Sequence, residues 1–337
     1  MIPALQSDRR TFLKRLAMLA AGAALAPVVR VVPAAAGSGR IRIQEERMLM
    51  GTFVGLTVLA PSRMQGEEAV IRAFAEMESQ IRVFDRFDAS TPLSILNREG
   101  RLCDAPGELL SVLDFSDGLF MRSGGLFDVT VAPVVNLLAR THGAPDKNEL
   151  REALALVGAG RMSRRDGDIR FGSRGMAVTL DGVAKGHIAD RAAAALERMG
   201  IDTYLVDAGG DIRVQGAPEG RPWRIAIQDP DKGGNYPAVI ELRSGAVATS
   251  GGYESGFDKA GTSHHLINPD TGASPAYVRS VSVQAPTVMQ ADGLATALSL
   301  MHPREALRLT DSLPGHSCLL VTSSGARLAS DNWGMRL

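Results

Sequence analysis

Asp292 and Thr296 stand four residues apart in Met289-Gln-Ala-Asp292-Gly-Leu-Ala-Thr296-Ala-Leu, a run of helical character. Helical spacing puts the carboxylate and the hydroxyl on one face, a turn apart. Two hard oxygens so placed near a helix start can hold Mg²⁺ when backbone carbonyls and phosphate complete its shell. The same pair also suits a capping Asp and a Thr bonded back along its own helix. A second run, Thr179-Leu-Asp181-Gly182-Val-Ala184-Lys185-Gly186-His187, ends a strand-like piece, passes glycines that let a ligand approach, and begins a helix. The N–H groups and dipole of a helix start suit a phosphate, and Lys185 adds positive charge. A plain strand-to-helix turn with a solvated lysine fits the residues equally. Neither G-x-x-x-x-G-K-[ST] nor G-x-G-x-x-G occurs, so this is neither a P-loop nor a Rossmann turn.

Two further segments have chemical potential. In Ser123-Gly124-Gly125-Leu126-Phe127-Asp128-Val-Thr130, a glycine pair precedes an aromatic and an acid. Such a loop can present its backbone to a flat ring, or simply end a helix and turn. Thr249-Ser250-Gly251-Gly252-Tyr253 and Ser263-His264-His265-Leu266-Ile267-Asn268-Pro269-Asp270-Thr271-Gly272 gather hydroxyls, glycines and two imidazoles. A histidine in a polar loop can serve as a base or bond a phosphate, although a lone one more often just packs. No Cys/His cluster has zinc spacing. With only Cys103 and Cys318 present, one disulfide is the most that can form.

Periodicity gives the elements that position these residues. Residues 48–59 alternate and stop at Pro61, which predicts a first strand. Val70, Ile71, Phe74, Met77, Ile81 and Phe84 recur every three or four residues, an amphipathic helix over 67–84. Residues 88–98 read as turn. Helices are expected over 106–123, stopped by Gly124-Gly125, and over 131–139 and 147–157. Strand-like pieces at 168–172 and 176–180 precede a helix over 183–199 that closes at Gly200. Strands follow at 202–207, 211–215, 222–228, 237–242, 246–249 and 278–285. Helices over 289–301 and 303–312 and a strand over 316–322 complete the chain. Hairpin neighbours outnumber crossovers, so the expected class is α+β, with mixed or antiparallel sheets and flanking helices. No repeat or linker divides residues 37–337, which predicts a single domain.

The N-terminus reads as an export signal. Arg9-Arg10-Thr11-Phe12-Leu13-Lys14 precedes an uncharged apolar run over 16–29 and the small-residue stretch Pro33-Ala34-Ala35-Ala36. The paired arginines point to the twin-arginine route, with cleavage after Ala36 and a periplasmic product. The apolar run is shorter than the roughly 20 residues of a membrane span. Five basic residues against Asp8 give residues 1–36 a charge of +4, and the whole chain is neutral, so the remainder carries −4. No basic field is left to attract nucleic acid.

Taken in order, these segments resemble the ApbE-type FAD:protein FMN transferases from Met50 nearly to the C-terminus. The similarity is carried by Met50-Gly51-Thr52, Phe87 with Leu93-Ser94-Ile95-Leu96-Asn97, Ser123 to Val131, and Asn136-Leu137. It continues through Asp181 to Gly186, Gly209-Gly210-Asp211-Ile212, Ala248-Thr249-Ser250-Gly251, His265 to Gly272, and Ala291 to Ala297. The resemblance implies an α+β domain of two intertwined, T-fold-related halves. It implies that Met50 and Phe87 flank the isoalloxazine, that Leu126, Phe127 and Asp128 line it, and that Asp181, Lys185 and His187 lie along the nucleotide. Thr249, Ser250 and Ile267 complete the cofactor-binding set. The backbone oxygen of Ala184, with Asp292 and Thr296, would hold Mg²⁺, and His265 would be the catalytic base.

The implied reaction is attack of a Ser or Thr hydroxyl of an acceptor protein on FAD, giving bound FMN and AMP. FAD hydrolysis and a non-enzymatic flavin carrier are the alternatives. With its twin-arginine signal the chain resembles the branch that serves nitrous-oxide reduction, where the acceptor is a membrane electron-transfer protein with a short Ser/Thr flavinylation motif. The run from Asn268 to Ser274 itself resembles that motif, which raises self-modification at Thr271. The chain departs from the family's usual residues at Phe87 (Tyr), Thr179 (Asp), Asp181 (a small residue), Gly252 (Asp), Asn268 (Asp) and Thr91-Pro92 (Ser-Glu).

Overall fold

The computed structural model describes residues 28–33, 39–230, 236–253, 256–258 and 262–334. The chain begins with β1 (Val28–Pro33), β2 (Ile41–Leu49), β3 (Thr52–Ala60), α1 (Arg63–Phe84), α2 (Pro92–Glu99), β4 (Arg101–Leu102) and α3 (Gly107–Arg122). Next come α4 (Ala132–Arg140), α5 (Lys147–Leu154), β5 (Met162–Arg165), β6 (Asp168–Phe171), α6 (Ala184–Arg198), β7 (Tyr204–Ala208) and β8 (Asp211–Gln215). It ends with β9 (Trp223–Ala226), β10 (Val239–Leu242), β11 (Ser244–Gly251), β12 (Val278–Ala285), α7 (Val288–Ser299), α8 (Pro303–Asp311), β13 (Ser317–Thr322) and β14 (Arg327–Ala329). Most of the expected export signal, residues 1–27 and 34–36, lies outside the described residues.

Among the described residues the main sheet has nine strands in the order β1-β2-β3-β7-β8-β11-β12-β13-β14, each paired antiparallel. Alternation along its strands creates two cores. Tyr204, Val206 and Ala208 of β7 and Ala246 and Ala248 of β11 face α1, α6 and α7 in the larger one. Leu205, Val214 and Val247 point the other way, onto the small β9–β10 hairpin. The hairpin β2–β3 is followed by α1 packed on it, and the pair β11–β12 is followed by α7 packed on it. These two similar units flank α6, β7 and β8, an arrangement that fits two halves sharing one core. No helix among the described residues is long and apolar enough to cross a membrane.

The strand expected over 48–59 is two strands. Leu49 lies opposite Thr52, so Met50 and Gly51 form a two-residue loop with φ of 53° and 71°. That is the type I′ pattern, whose twist matches a hairpin. Gly51 adopts it freely, whereas Met50 in the left-handed region stores roughly 1–2 kcal/mol of strain. Residues 88–98 are not all turn: Thr91 accepts the Ser94 N–H at 3.2 Å, Pro92 opens α2, and Gly100 closes it at φ 70°. The unusual Thr91-Pro92 is therefore a helix start. Residues 176–180 join no ladder. Instead Asn97 donates to the Val178 carbonyl at 2.8 Å and accepts its N–H at 2.7 Å, so one side-chain amide substitutes for a neighbouring strand. Cys103 is exposed and Cys318 buried, and both are free thiols.

Candidate active site

The starts of α6 and α7 meet face to face. Asp292, buried on α7, accepts the backbone N–H of Gly186 at 2.9 Å, so the carboxylate caps the neighbouring helix. A side chain on Gly186 has no room: a Cβ there would come 2.6 Å from the Val288 carbonyl oxygen and 2.8 Å from the Met289 Cα. A Cβ on Gly182 would come 3.0 Å from the Thr296 hydroxyl. The two glycines of the Asp181–Gly186 run thus serve helix-to-helix and turn-to-helix contact. Thr296 does not bond back along α7; its Oγ1 lies 3.3 Å from the Ser250 Oγ at the end of β11. Asp292, Thr296, Ser250 and the Gly182–Gly186 turn are brought together from three parts of the chain.

The helix start is less open to a phosphate than expected. The N–H groups of Ala184 and His187 go to Leu180 and Val183 carbonyls, and that of Gly186 goes to Asp292. Lys185 pairs with the buried Asp211 at 3.1 Å, so its charge has a partner inside the protein. Asp211 also accepts the Thr249 backbone N–H. Burial pushes its carboxyl up and Lys185 opposes that shift. Burial likewise raises Asp207, whose Oδ1 accepts the Gly210 N–H at 2.8 Å. The Gly209-Gly210 tip of the β7–β8 hairpin packs against Thr52 of the β2–β3 hairpin, where a Cβ on Gly209 would be 2.5 Å from the Thr52 hydroxyl. Met50, Thr52, Asp207 and Asp211 therefore lie at one end of the sheet.

The residues expected along the ring and nucleotide are placed differently from one another. Phe87 is 82 % exposed on the α1–α2 connection, with the Arg86 guanidinium 4.4 Å above its ring. Arg86 also donates to Asp181 and to Asn136, at 2.9 Å each, which explains an acid at 181. Leu126 is half-buried against the main core and Phe127 is within it. Asp128 is buried and engaged, its Oδ1 accepting from the Thr130 N–H and hydroxyl and its Oδ2 from the Ala159 N–H. The bonds of that carboxylate tie its loop to the start of the 159–161 turn. His187 also departs from expectation: it is buried between α1 and α6, edge-on to Phe84 at 5.4 Å, with no hydrogen-bond partner for Nε2 among the described residues. Burial pulls its pKa down to about 4.

The polar loop after β11 holds the imidazoles. Thr249 Oγ1 lies 2.8 Å from Ser282 Oγ, across to β12. His264 is buried against Gly252, where a Cβ would come 2.6 Å from the ring. A side chain at 252 would have to displace the imidazole of 264 from this position. His265 is half-buried, its ring 6.2 Å from that of His264. Ile267 packs beneath, with Val134 and Leu138 of α4. Asn268 Oδ1 accepts the N–H groups of Asp270 and Thr271 at 2.9 and 3.2 Å, a role an Asp would fill equally. No group of three or more His, Cys, Asp or Glu among the described residues is arranged to hold a metal. A cation here would rest on the mixed oxygens of Asp292, Thr296 and backbone, a hard donor set of the kind Mg²⁺ takes when water and phosphate supply the rest.

Four residues of this constellation were assigned no role from sequence: Asp190, Asp211, Arg86 and Asn97. Asp190 follows Gly186 by one helical turn, and Asp211 follows the Gly209-Gly210 tip, which are the only local signals. Antiparallel α+β architecture, with a carboxylate and two hydroxyls meeting the glycine turn between two facing helix starts, defines a protein with a hard-oxygen site. The chain belongs to the ApbE family, whose model matches residues 50–320. It is 28 % identical over 272 residues to the FAD:protein FMN transferase of Klebsiella pneumoniae, spanning 76 % of this chain and 78 % of that one. The Vibrio cholerae protein of the same name is 31 % identical over 244 residues, spanning 70 % of each. Among solved structures, the ApbE protein of Thermotoga maritima superposes with a TM-score of 0.78 at 28 % identity, over 87 % of this chain and 98 % of that one.

Proposed function

We propose that this chain transfers FMN from FAD to a Ser or Thr hydroxyl of an acceptor protein, releasing AMP, and that it requires Mg²⁺. The observation that carries this reading is the contact of Asp292 with Gly186 and of Thr296 with Gly182 and Ser250, in a chain whose relatives bear that enzyme name. Ala184, Asp292 and Thr296 would hold the ion, which when bound supplies charge neutralisation at the phosphoryl oxygens.

The chain's own residues would do the rest. Met50, Phe87 and the 126–128 segment would orient the flavin. Thr249, Ser250 and Ile267 would line the site, and His265 would accept the proton of the attacking hydroxyl. The new bond joins the acceptor oxygen to the FMN phosphorus. The bond that breaks is the phosphoanhydride to AMP, which departs with the electron pair. Lys185 would lie beside the nucleotide, held in place by its ion pair with Asp211.

The export signal supports a periplasmic site of action after removal of residues 1–36, and a membrane electron-transfer protein as acceptor. The test is incubation with FAD, Mg²⁺ and a Ser/Thr acceptor peptide. An FMN-sized mass increment on the peptide supports the proposal. FAD consumed to free FMN and AMP, with every plausible acceptor unmodified, would replace it with hydrolysis.

A further inference from the structure

Asp190 lies on α6, one turn past Gly186, and both its oxygens are spent on α7. Oδ1 accepts the Val288 N–H at 3.0 Å and Oδ2 accepts the Met289 N–H at 2.9 Å. These are the first two residues of α7. One acceptor oxygen for each N–H is a pairing that a carboxylate supplies and an amide does not, because an amide would turn an NH₂ toward one donor. The next two N–H groups, of Gln290 and Ala291, go to the Thr287 hydroxyl and carbonyl at 3.3 and 3.1 Å. Arg213 of β8 donates to the Pro286 carbonyl just ahead. Every amide of that first turn has a partner.

The reverse contact runs from Asp292 of α7 to the Gly186 N–H of α6. Each helix therefore caps the other, and the absence of a side chain at Gly186 lets the two backbones touch between the caps. Asp292 and Thr296 follow on the same rigid rod whose start Asp190 grips. A slide or rotation of α7 would carry both oxygens away from the Ala184 and Gly182 backbone together.

We propose that Asp190 is a positioning residue for the metal-binding pair, fixing the depth and rotation of α7 so that Asp292 and Thr296 face the start of α6. This rests on the reading of Asp292 and Thr296 as metal ligands. Mg²⁺ tolerates little departure from octahedral geometry, and groups that orient metal ligands typically contribute about 10–100-fold to affinity.

The test uses the full chain with saturating FAD and no acceptor, titrated with Mn²⁺ while free Mn²⁺ is followed by electron paramagnetic resonance. Asp190→Asn, which keeps one acceptor oxygen, should weaken Mn²⁺ binding about 10-fold, and Asp190→Ala about as much or more. The comparison variant is Leu242→Ala, a truncation of β10 in the separate core on the sheet face away from α6 and α7, which should lower the melting temperature and leave Mn²⁺ affinity unchanged. Unchanged affinity in Asp190→Asn, or an equal loss in Leu242→Ala, overturns the proposal. Should Asp190→Ala not fold, the Asn variant decides alone. Asp292→Ala separates the underlying reading: if it binds Mn²⁺ normally, the metal assignment itself falls, whatever Asp190 does.

Discussion

Two regions meet at Thr296 and are built on different principles. The α6 start is a buried joint: Gly182 and Gly186 admit backbone against helix, Asp292 closes one helix end, and Lys185 is tied to Asp211. The described residues between Gly251 and Gly272 form local turns, with Asn268 bonding the N–H groups of Asp270 and Thr271 and His264 filling the space above Gly252. Nothing in the joint can shift without displacing a helix, whereas the loop can trade one polar residue for another of the same reach. Geometry is thus fixed where a metal would need it, and the turn residue at 268 is free to vary between amide and acid.

Four changes break or sharpen that contrast. Asp292→Ala should lower transfer by about a thousandfold, since charge stabilisation by a bound ion is worth several kcal/mol. Asp292→Asn serves as the control, keeping an oxygen for Gly186 and losing the charge; a near-normal rate in either variant, measured by peptide flavinylation, contradicts a metal role.

Gly186→Ala should cost about 3 kcal/mol of stability, the upper part of the overpacking range, because the intruding methyl meets backbone that cannot rotate away. Denaturant unfolding measures it, and a loss under 1 kcal/mol would mean the helix joint is looser than described.

His187 supplies a pH effect. Its pKa in the folded chain, about 4, lies below the ordinary value of 6.5, so the unfolded chain binds the extra proton first. Stability from this residue is complete above pH 6.5 and falls as pH drops toward 4, by about 3 kcal/mol in all. His187→Phe should flatten the pH dependence of unfolding over that window.

In the loop, Asn268→Asp should change stability by less than about 0.5 kcal/mol, because the second side-chain atom is not used in the turn. A large loss there would show the loop to be as constrained as the joint.

Strands and helices with clear periods were legible in sequence, because one buried face imposes the pattern: 67–84 appears as α1 and 278–285 as β12. The two strands β2 and β3 look like one in sequence because alternation runs across Met50-Gly51, a tight turn with a non-glycine residue at positive φ that no propensity favours. Residues 176–180 have a strand's sequence and a side chain in place of a strand's partner. At the site, the i, i+4 spacing placed Asp292 and Thr296 correctly on one helix, but their facing contacts with Gly182 and Gly186 are tertiary and have no local signature. The same limit hid Asp190 and the Lys185–Asp211 pair, each of which joins residues from separate elements. The resemblance sets His187 along the nucleotide; its helical phase turns the ring toward Phe84.

The central claim is that oxygens from α7 and the α6 start equip this chain to move FMN onto another protein. The most direct measurement is mass spectrometry of an acceptor peptide after incubation with the purified chain and FAD, with Mg²⁺ and with chelator. Peptide carrying FMN, equimolar AMP and no product in chelator is the expected result; a modified peptide in chelator, or free FMN as the sole flavin product, contradicts the account.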